Sequence, residues 1–387
     1  MNFKVLNNAK VRNVIYQVLL VAVVVAVVLF LVINAGNNLA KQGIASGFGF
    51  LQLSTGFDIA SSLIHYDESS TYLRLFFAAL INTLLMSFVS IVFATIIGFS
   101  IGIMRMAEHP LVAKIAAVYV ETLRNIPLLL QVFFWYFAVL QPLPSPRSSL
   151  AFWDGLFINN RGMHLPSPIL DGNYLGFLAS LMIAVGLLIY FLRQAKSIRI
   201  LQGQSQPKSW WLSRLLPISI ILIIIYFTSG TSLHWSVPAL QGFNFEGGWV
   251  ISPEFFALFI ALSTYTGAYI AENVRSGIQS IKKGQIEAGR SLGLNSFQIM
   301  RFIIIPNALR VIIPPLTNQY LNLTKNSSLA AAIAYPDLVL VFAGTALNQT
   351  GQAVEILLMI MLVYLLISLL ISAFMNWYNS HVKIVER

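Results

Sequence analysis

Two uninterrupted apolar runs, Val14 to Ile33 and Ile356 to Ala373, decide most of what this chain can fold into. Each is close to the ~20 apolar residues an α-helix needs to cross a ~30 Å hydrocarbon core. Of the 387 residues, 57% are hydrophobic and 10% charged, whereas a soluble domain carries roughly a quarter charged residues. The bilayer is therefore the working solvent. The first run is longer than the apolar part of an export signal, and no small-x-small cleavage site precedes Asn37, so it is read as a membrane helix.

Hydropathy places spans at 14–33, 76–104, 115–140, 174–192, 214–230, 253–275, 306–343 and 356–376, an all-α polytopic protein with about eight crossings. The seventh is interrupted by Pro306, Pro314, Pro315 and Pro336, which suits a broken or partly re-entrant element. Of the Lys and Arg residues, all but Lys41, Arg74, Arg147, Arg161 and Lys325 fall on one side when the N-terminus is inside. Cationic loops stay in the cytoplasm, so both termini are inside. The outer stretches hold Asp58, Asp67, Glu68, Asp154, Asp171 and Glu246 with aromatic and Pro/Gly-rich sequence, as solvated connections or a docking surface for an external partner. Five regions follow: 1–75, 76–141, an insertion at 142–252 with two spans, 253–376, and a tail at 377–387.

The net charge of +10 is spread over short loops, so topology explains it and a nucleic-acid partner is not implied. There is no cysteine, and no two of the five histidines stand at ligand spacing, which leaves no basis for thiol chemistry or a metal site. A nucleotide-cradling G-x-x-x-x-G-K-[ST] loop is absent, so any ATP hydrolysis belongs to another subunit.

Gly277 to Arg310 is too polar to span and too patterned to be a tether. Gln285 to Leu292 reads as a short helix ended by Gly293, since glycine accepts the left-handed C′ position. Asn295 or Ser296 then caps a second helix, with Gln298 completing a capping box. Such a helix, turn and helix suits docking on another protein; an amphipathic loop lying on headgroups is the alternative.

Glu287-Ala288-Gly289, Gly293, and Ile303-x-Ile305-Pro306 read E-A-G-x3-G-x9-I-x-I-P. This resembles the EAA loop of ABC-importer permeases, E-A-A-x3-G-x9-I-x-L-P, with Gly289 and Ile305 as the departures. Thr83 to Gly102, Tyr119 to Phe137, Ala261 to Gln285 and Leu321 to Ala330 are similar to the polar amino acid branch of that family, in the same order. The matches cover about half the chain and leave the first, fourth and fifth spans as additions to a five-helix core, a plan most similar to permeases of general L-amino acid uptake. The resemblance implies a type I importer fold in the bacterial plasma membrane. It implies two copies of an ATPase holding ATP and Mg, a second permease, an external solute-binding protein and an amino acid substrate. It also makes the loop the coupling element, with Glu287, Ala288, Gly289, Gly293, Leu294 and Pro306 as its contact and turn residues, and no cofactor on this chain.

Charged residues in spans are costly and by default functional or paired. Glu121 and Arg124, three apart, read as an intrahelical pair or a gate element. Glu272 faces the interior or Arg275. Asn318, Asn322 and Lys325 recur at i, i+4, i+7 on one helix face, and with Asn326, Glu272 and Thr264 they form the candidate solute pathway for a zwitterion. Lys325 snorkelling, or serving as structural glue, is an equal reading. Gly98 and Gly102, and Thr264, Gly267, Ala268 and Ala271, mark close helix packing. An ion-coupled secondary transporter would need inverted repeats and deep carboxylates. A membrane enzyme would need a clustered nucleophile constellation. Neither pattern stands out.

Overall fold

The computed structural model describes residues 9–41, 47–153, 155–171, 174–202, 208–228 and 232–382. Lys4, Asp154, Lys383 and Arg387, counted above for topology, lie outside them. The helices in chain order are α1 (Ala9–Lys41), α2 (Tyr72–Met104), α3 (Pro110–Asn125), α4 (Leu128–Phe133, running on as a π-helical stretch to Leu140), α5 (Tyr174–Gln202) and α6 (Lys208–Thr228). They continue as α7 (Pro253–Gln279), α8 (Lys283–Ser291), α9 (Ser296–Ile299), α10 (Ile305–Asn326), α11 (Leu347–Thr350) and α12 (Ala353–Val382). Contacts divide the chain into two units, Met1–Val139 with Glu254–Arg387, and Leu140–Pro253.

Against the eight expected crossings, six helices among the described residues are long and apolar enough to span, or seven when the bent pair α3 and α4 counts as one. The expected fifth span falls on α6, with residues 229–230 outside the described residues. The expected third span is not one helix: its halves meet at 104°. Pro127 has no N–H for the Leu123 carbonyl and pushes Ile126 to extended backbone (φ −93°, ψ 126°). The buried Gln131 amide repairs the break by donating to Leu123 O at 2.9 Å and Ile126 O at 3.0 Å.

The seventh expected span is also divided, though not where its prolines are densest. Pro314 and Pro315 lie inside α10. The chain breaks later, after a 3-10 stretch over Ser327–Ile333, where Ala334 is left-handed (φ 61°) and Tyr335 and Pro336 turn it into a π-helical segment, Val339–Ala346. Side chains of α2 hold this turn. Asn82 donates to the Pro336 carbonyl at 3.0 Å, and Thr83 accepts from the Leu338 N–H at 3.0 Å.

The packing core of this unit is made from small residues. A Cβ on Gly98 would lie 2.4 Å from Ile270 Cγ2, and one on Gly102 2.8 Å from the Ala271 carbonyl oxygen, so α2 and α7 meet nearly backbone to backbone. Ile270, Val274, Ala308, Ile312, Ile313, Leu323 and Met375 close one buried cluster among α7, α10 and α12. In the outer half, Tyr72, Leu75, Leu338, Phe342 and Ile356 close another.

The second unit adds short strands to the helical fold. Besides α5 and α6 it holds short strands: β1 (Leu150–Trp153), β2 (Leu156–Asn159), β3 (Gly162–Leu165), β4 (Ser167–Asp171), β5 (Ser232–Ser236), β6 (Ala239–Gln241), β7 (Asn244–Glu246) and β8 (Trp249–Ile251). An antiparallel sheet runs β1-β2-β3-β8, with β4 paired to β5 and β6 to β7. Gly162 (φ 129°) permits the tight turn, and a Cβ there would strike the Ile251 carbonyl oxygen at 2.3 Å. Strands of three to five residues are too short for their alternation to stand out from a turn-rich loop.

Candidate functional site

The link between α7 and α10 folds as two short helices around a sharp turn. The first is α8, two residues earlier at its start than the expected Gln285 to Leu292. Gly293 sits at φ 77°, in the left-handed region. Its N–H donates to Arg290 O at 2.9 Å and the Leu294 N–H to Gly289 O at 3.1 Å, the paired bonds that close a glycine-terminated helix. Asn295 then caps α9: its Oδ1 accepts from the Gln298 N–H, and the Gln298 side chain accepts from the Asn295 N–H, both at 2.9 Å. Pro306 stands in the first turn of α10, directly after the π-helical stretch Met300–Ile304.

This turn has an inner and an outer side. Gly289 is buried, and a Cβ on it would lie 2.6 Å from Ile303 Cδ1. That contact brings α8 close to the helical stretch after α9, and it gives a reason for glycine where the EAA pattern has alanine. Glu287, Ala288, Arg290 and Ser291 face outward, and Leu292 is 81% and Phe297 70% exposed. Two large apolar side chains projecting from a rigid basic loop are what a protein partner would cover.

Farther along the same two helices, Tyr265, Thr266 and Tyr269 of α7 face Gln319, Asn322 and Asn326 of α10 across a cavity of about 280 Å³. The Tyr265 and Tyr269 hydroxyls are 3.3 Å apart. The Arg124 guanidinium lies 4.9 Å from the Tyr269 ring centroid, a cation–π contact, and the Tyr119 hydroxyl donates to the Thr264 carbonyl at 2.8 Å. Amides, hydroxyls and aromatic faces line the space, and none of the six lining side chains is charged.

Several expected site residues lie elsewhere. The cavity face of α10 is Gln319-Asn322-Asn326, so Asn322 and Asn326 line it, while Asn318 and Lys325 sit on exposed positions beside it. The Thr264 hydroxyl is turned back to the Ile260 carbonyl at 2.7 Å. Glu272 does not face the cavity: its carboxylate bridges Arg275, whose Nε lies 3.1 Å away, and Arg105 at the end of α2. It ties α2 to α7. Arg124 is not paired with Glu121; three-residue spacing allowed that pair, but the ring of Tyr269 offers the guanidinium a better-shielded face. Tyr265, Thr266, Tyr269 and Gln319 were missed, although the Gln319, Asn322, Asn326 rhythm of i, i+3, i+7 was available as a second polar face.

The model of binding-protein-dependent transport system inner membrane components matches residues 210–384, from α6 through the loop and cavity to the tail. YhdX of Escherichia coli, named as an amino-acid ABC transporter permease, is 50% identical over 98% of this chain and 96% of its own. The chain belongs to this family of ABC permeases. The general L-amino acid transport system permease AapQ of Rhizobium johnstonii is 46% identical over 98% of this chain and 94% of its own. BztB of Rhodobacter capsulatus, a glutamate/glutamine/aspartate/asparagine transport system permease, is 39% identical over 98% and 96%. As an ABC permease, the protein is the multi-pass plasma-membrane component of a transport system.

Proposed function

We propose that this chain is the permease subunit of an ATP-driven importer of L-amino acids, working by alternating access. Its partners in this reading are two copies of an ATPase that bind ATP and Mg, a second related permease, and an external solute-binding protein. The carrying observation is that the loop built around Gly293 joins α7 directly to α10, the two helices whose side chains line the polar cavity. A partner that seats on Glu287, Ala288 and Leu292 and moves on nucleotide binding would shift both cavity walls together. Close packing supports transmission: a Cβ on Gly277 would lie 2.4 Å from Ile312 Cγ1, so α7 and α10 are in tight contact between loop and cavity.

The substrate class rests on the cavity and the relatives. Hydroxyls and amides without a fixed charge can meet the carboxylate and ammonium of any amino acid by hydrogen bonds. That chemistry suits a broad range, in keeping with relatives named for general L-amino acids and for acidic residues and their amides. The test is uptake of labelled amino acids by proteoliposomes holding the assembled complex. Uptake should require ATP inside and the binding protein outside, and should survive ionophores. Uptake that is independent of ATP and abolished by ionophores would establish the ion-coupled alternative instead.

A further inference from the structure

The inner end of the α5–α6 hairpin carries positive charge that no neighbouring acid in the sequence offsets. Between Asp171 and Glu246 there are Arg193, Lys196, Arg199, Lys208 and Arg214, and no carboxylate. These fall where α5 ends and α6 begins. Basic residues on the inner side of a membrane protein are ordinary; the way Arg214 is held is not. Its guanidinium lies 4.2 Å from the Trp210 ring centroid and 5.6 Å from that of Phe191, and Trp210 packs edge-on against Trp211 at 4.9 Å. A guanidinium stacked on aromatic faces keeps its N–H edge free, and that edge matches two oxygens of a phosphate.

Next to this group, Trp211, Leu212, Leu215, Leu216 and Ser219 line an open apolar furrow of about 480 Å³ along α6. The furrow leads from the basic end of the helix toward the bilayer interior. Cation and furrow together ask for one molecule with an anionic head and a hydrocarbon tail.

We infer that the inner end of the α5–α6 hairpin is a binding site for an anionic phospholipid, with its phosphate at Arg214 and an acyl chain along Trp211, Leu215 and Ser219. A zwitterionic lipid offers the same phosphate but adds an ammonium that the basic cluster repels.

The test uses the assembled transporter in mild detergent, offered phosphatidylglycerol or phosphatidylcholine with the same acyl chains. Bound lipid is counted by native mass spectrometry on intact complexes only, which removes misfolded material from the comparison. The wild type should retain phosphatidylglycerol in preference. Arg214→Gln should lower that retention about fivefold, the effect of one surface charge on an anionic lipid. Leu215→Trp, which fills the furrow and leaves every charge in place, should lower it as well. Equal retention of both lipids by the wild type, or full retention of phosphatidylglycerol by the Arg214→Gln variant, overturns the inference.

Discussion

The loop around Gly293 and the cavity between α7 and α10 belong to the same two helices, but contacts of different range build them. In the loop, the shaping bonds span at most five residues: Leu294 to Gly289, Gly293 to Arg290, Asn295 with Gln298. In the cavity, Tyr269 faces Asn322 across two separate helices, and Arg124 arrives from a third. A structure made of short-range bonds stays the same wherever it is placed, which suits an arm that must move as one piece. A cavity made by separate helices changes whenever they shift, which suits a gate.

Substitutions at four places separate these roles. The largest effect should come where loop and cavity meet. Gly277→Val places carbon where Ile312 already stands 2.4 Å from the Cβ position, and overpacking of this kind costs roughly 1–3 kcal/mol. Binding-protein-stimulated ATPase and uptake should both collapse, while Gly284→Val, in open space nearby, should leave both near wild type.

Next is the turn itself. Nothing lies within 4 Å of a Cβ at Gly293, so its constraint is the backbone alone. Gly293→Val should strain the turn by roughly 1–2 kcal/mol and cut coupled uptake about tenfold. Gly293→Asn should restore much of the loss, because asparagine tolerates the left-handed region. If valine and asparagine behave alike, the turn's conformation is not what matters.

Within the cavity, Asn322→Ala should raise the half-saturating amino acid concentration about fivefold, the worth of one hydrogen bond of about 1 kcal/mol. Lys325→Ala, off the lining face, should change it little. The reverse order would restore Lys325 to the pathway.

The smallest effect belongs to the second unit. Burial holds the His164 imidazole below its ordinary value of 6.5, and neither ring nitrogen has a hydrogen-bond partner. The unfolded chain therefore takes up the proton first, and the contribution of His164 is present above about pH 6.5 and lost as pH falls below it. Corrected for the intrinsic pH dependence of amide exchange, protection in β3 should fall on acidification, and His164→Phe should flatten that response without altering transport.

The same difference in range explains what could be read before the coordinates. The caps at Gly293 and Asn295 and the expected helices flanking them are local, so residue types at fixed offsets identify them to within two residues. The bend at Pro127 was signalled by the proline itself, but its sharpness depends on Gln131 folding back, and so the third span read as continuous. The expected polar stripe of α10 runs Asn318, Asn322, Lys325, with Asn326 beside it, whereas the face that lines the cavity is Gln319, Asn322, Asn326. Which of two adjacent faces meets α7 is set by close approaches such as that of Gly277 on the partner helix to Ile312. Glu272 could be assigned to Arg275 from spacing, whereas Arg105 reaches it from the far end of α2. Short strands in the second unit left no periodic signal long enough to read.

The most direct measurement exploits the absence of cysteine in the chain. A single Leu292→Cys, at the most exposed apolar position of the loop, is labelled with a maleimide in the isolated permease and in the complex with its ATPase. The account predicts rapid labelling of the isolated permease and protection in the complex, with an Asn318→Cys control unaffected by the ATPase. Equal labelling of Leu292→Cys in the two states would contradict the assignment of this loop as the place where the ATPase docks.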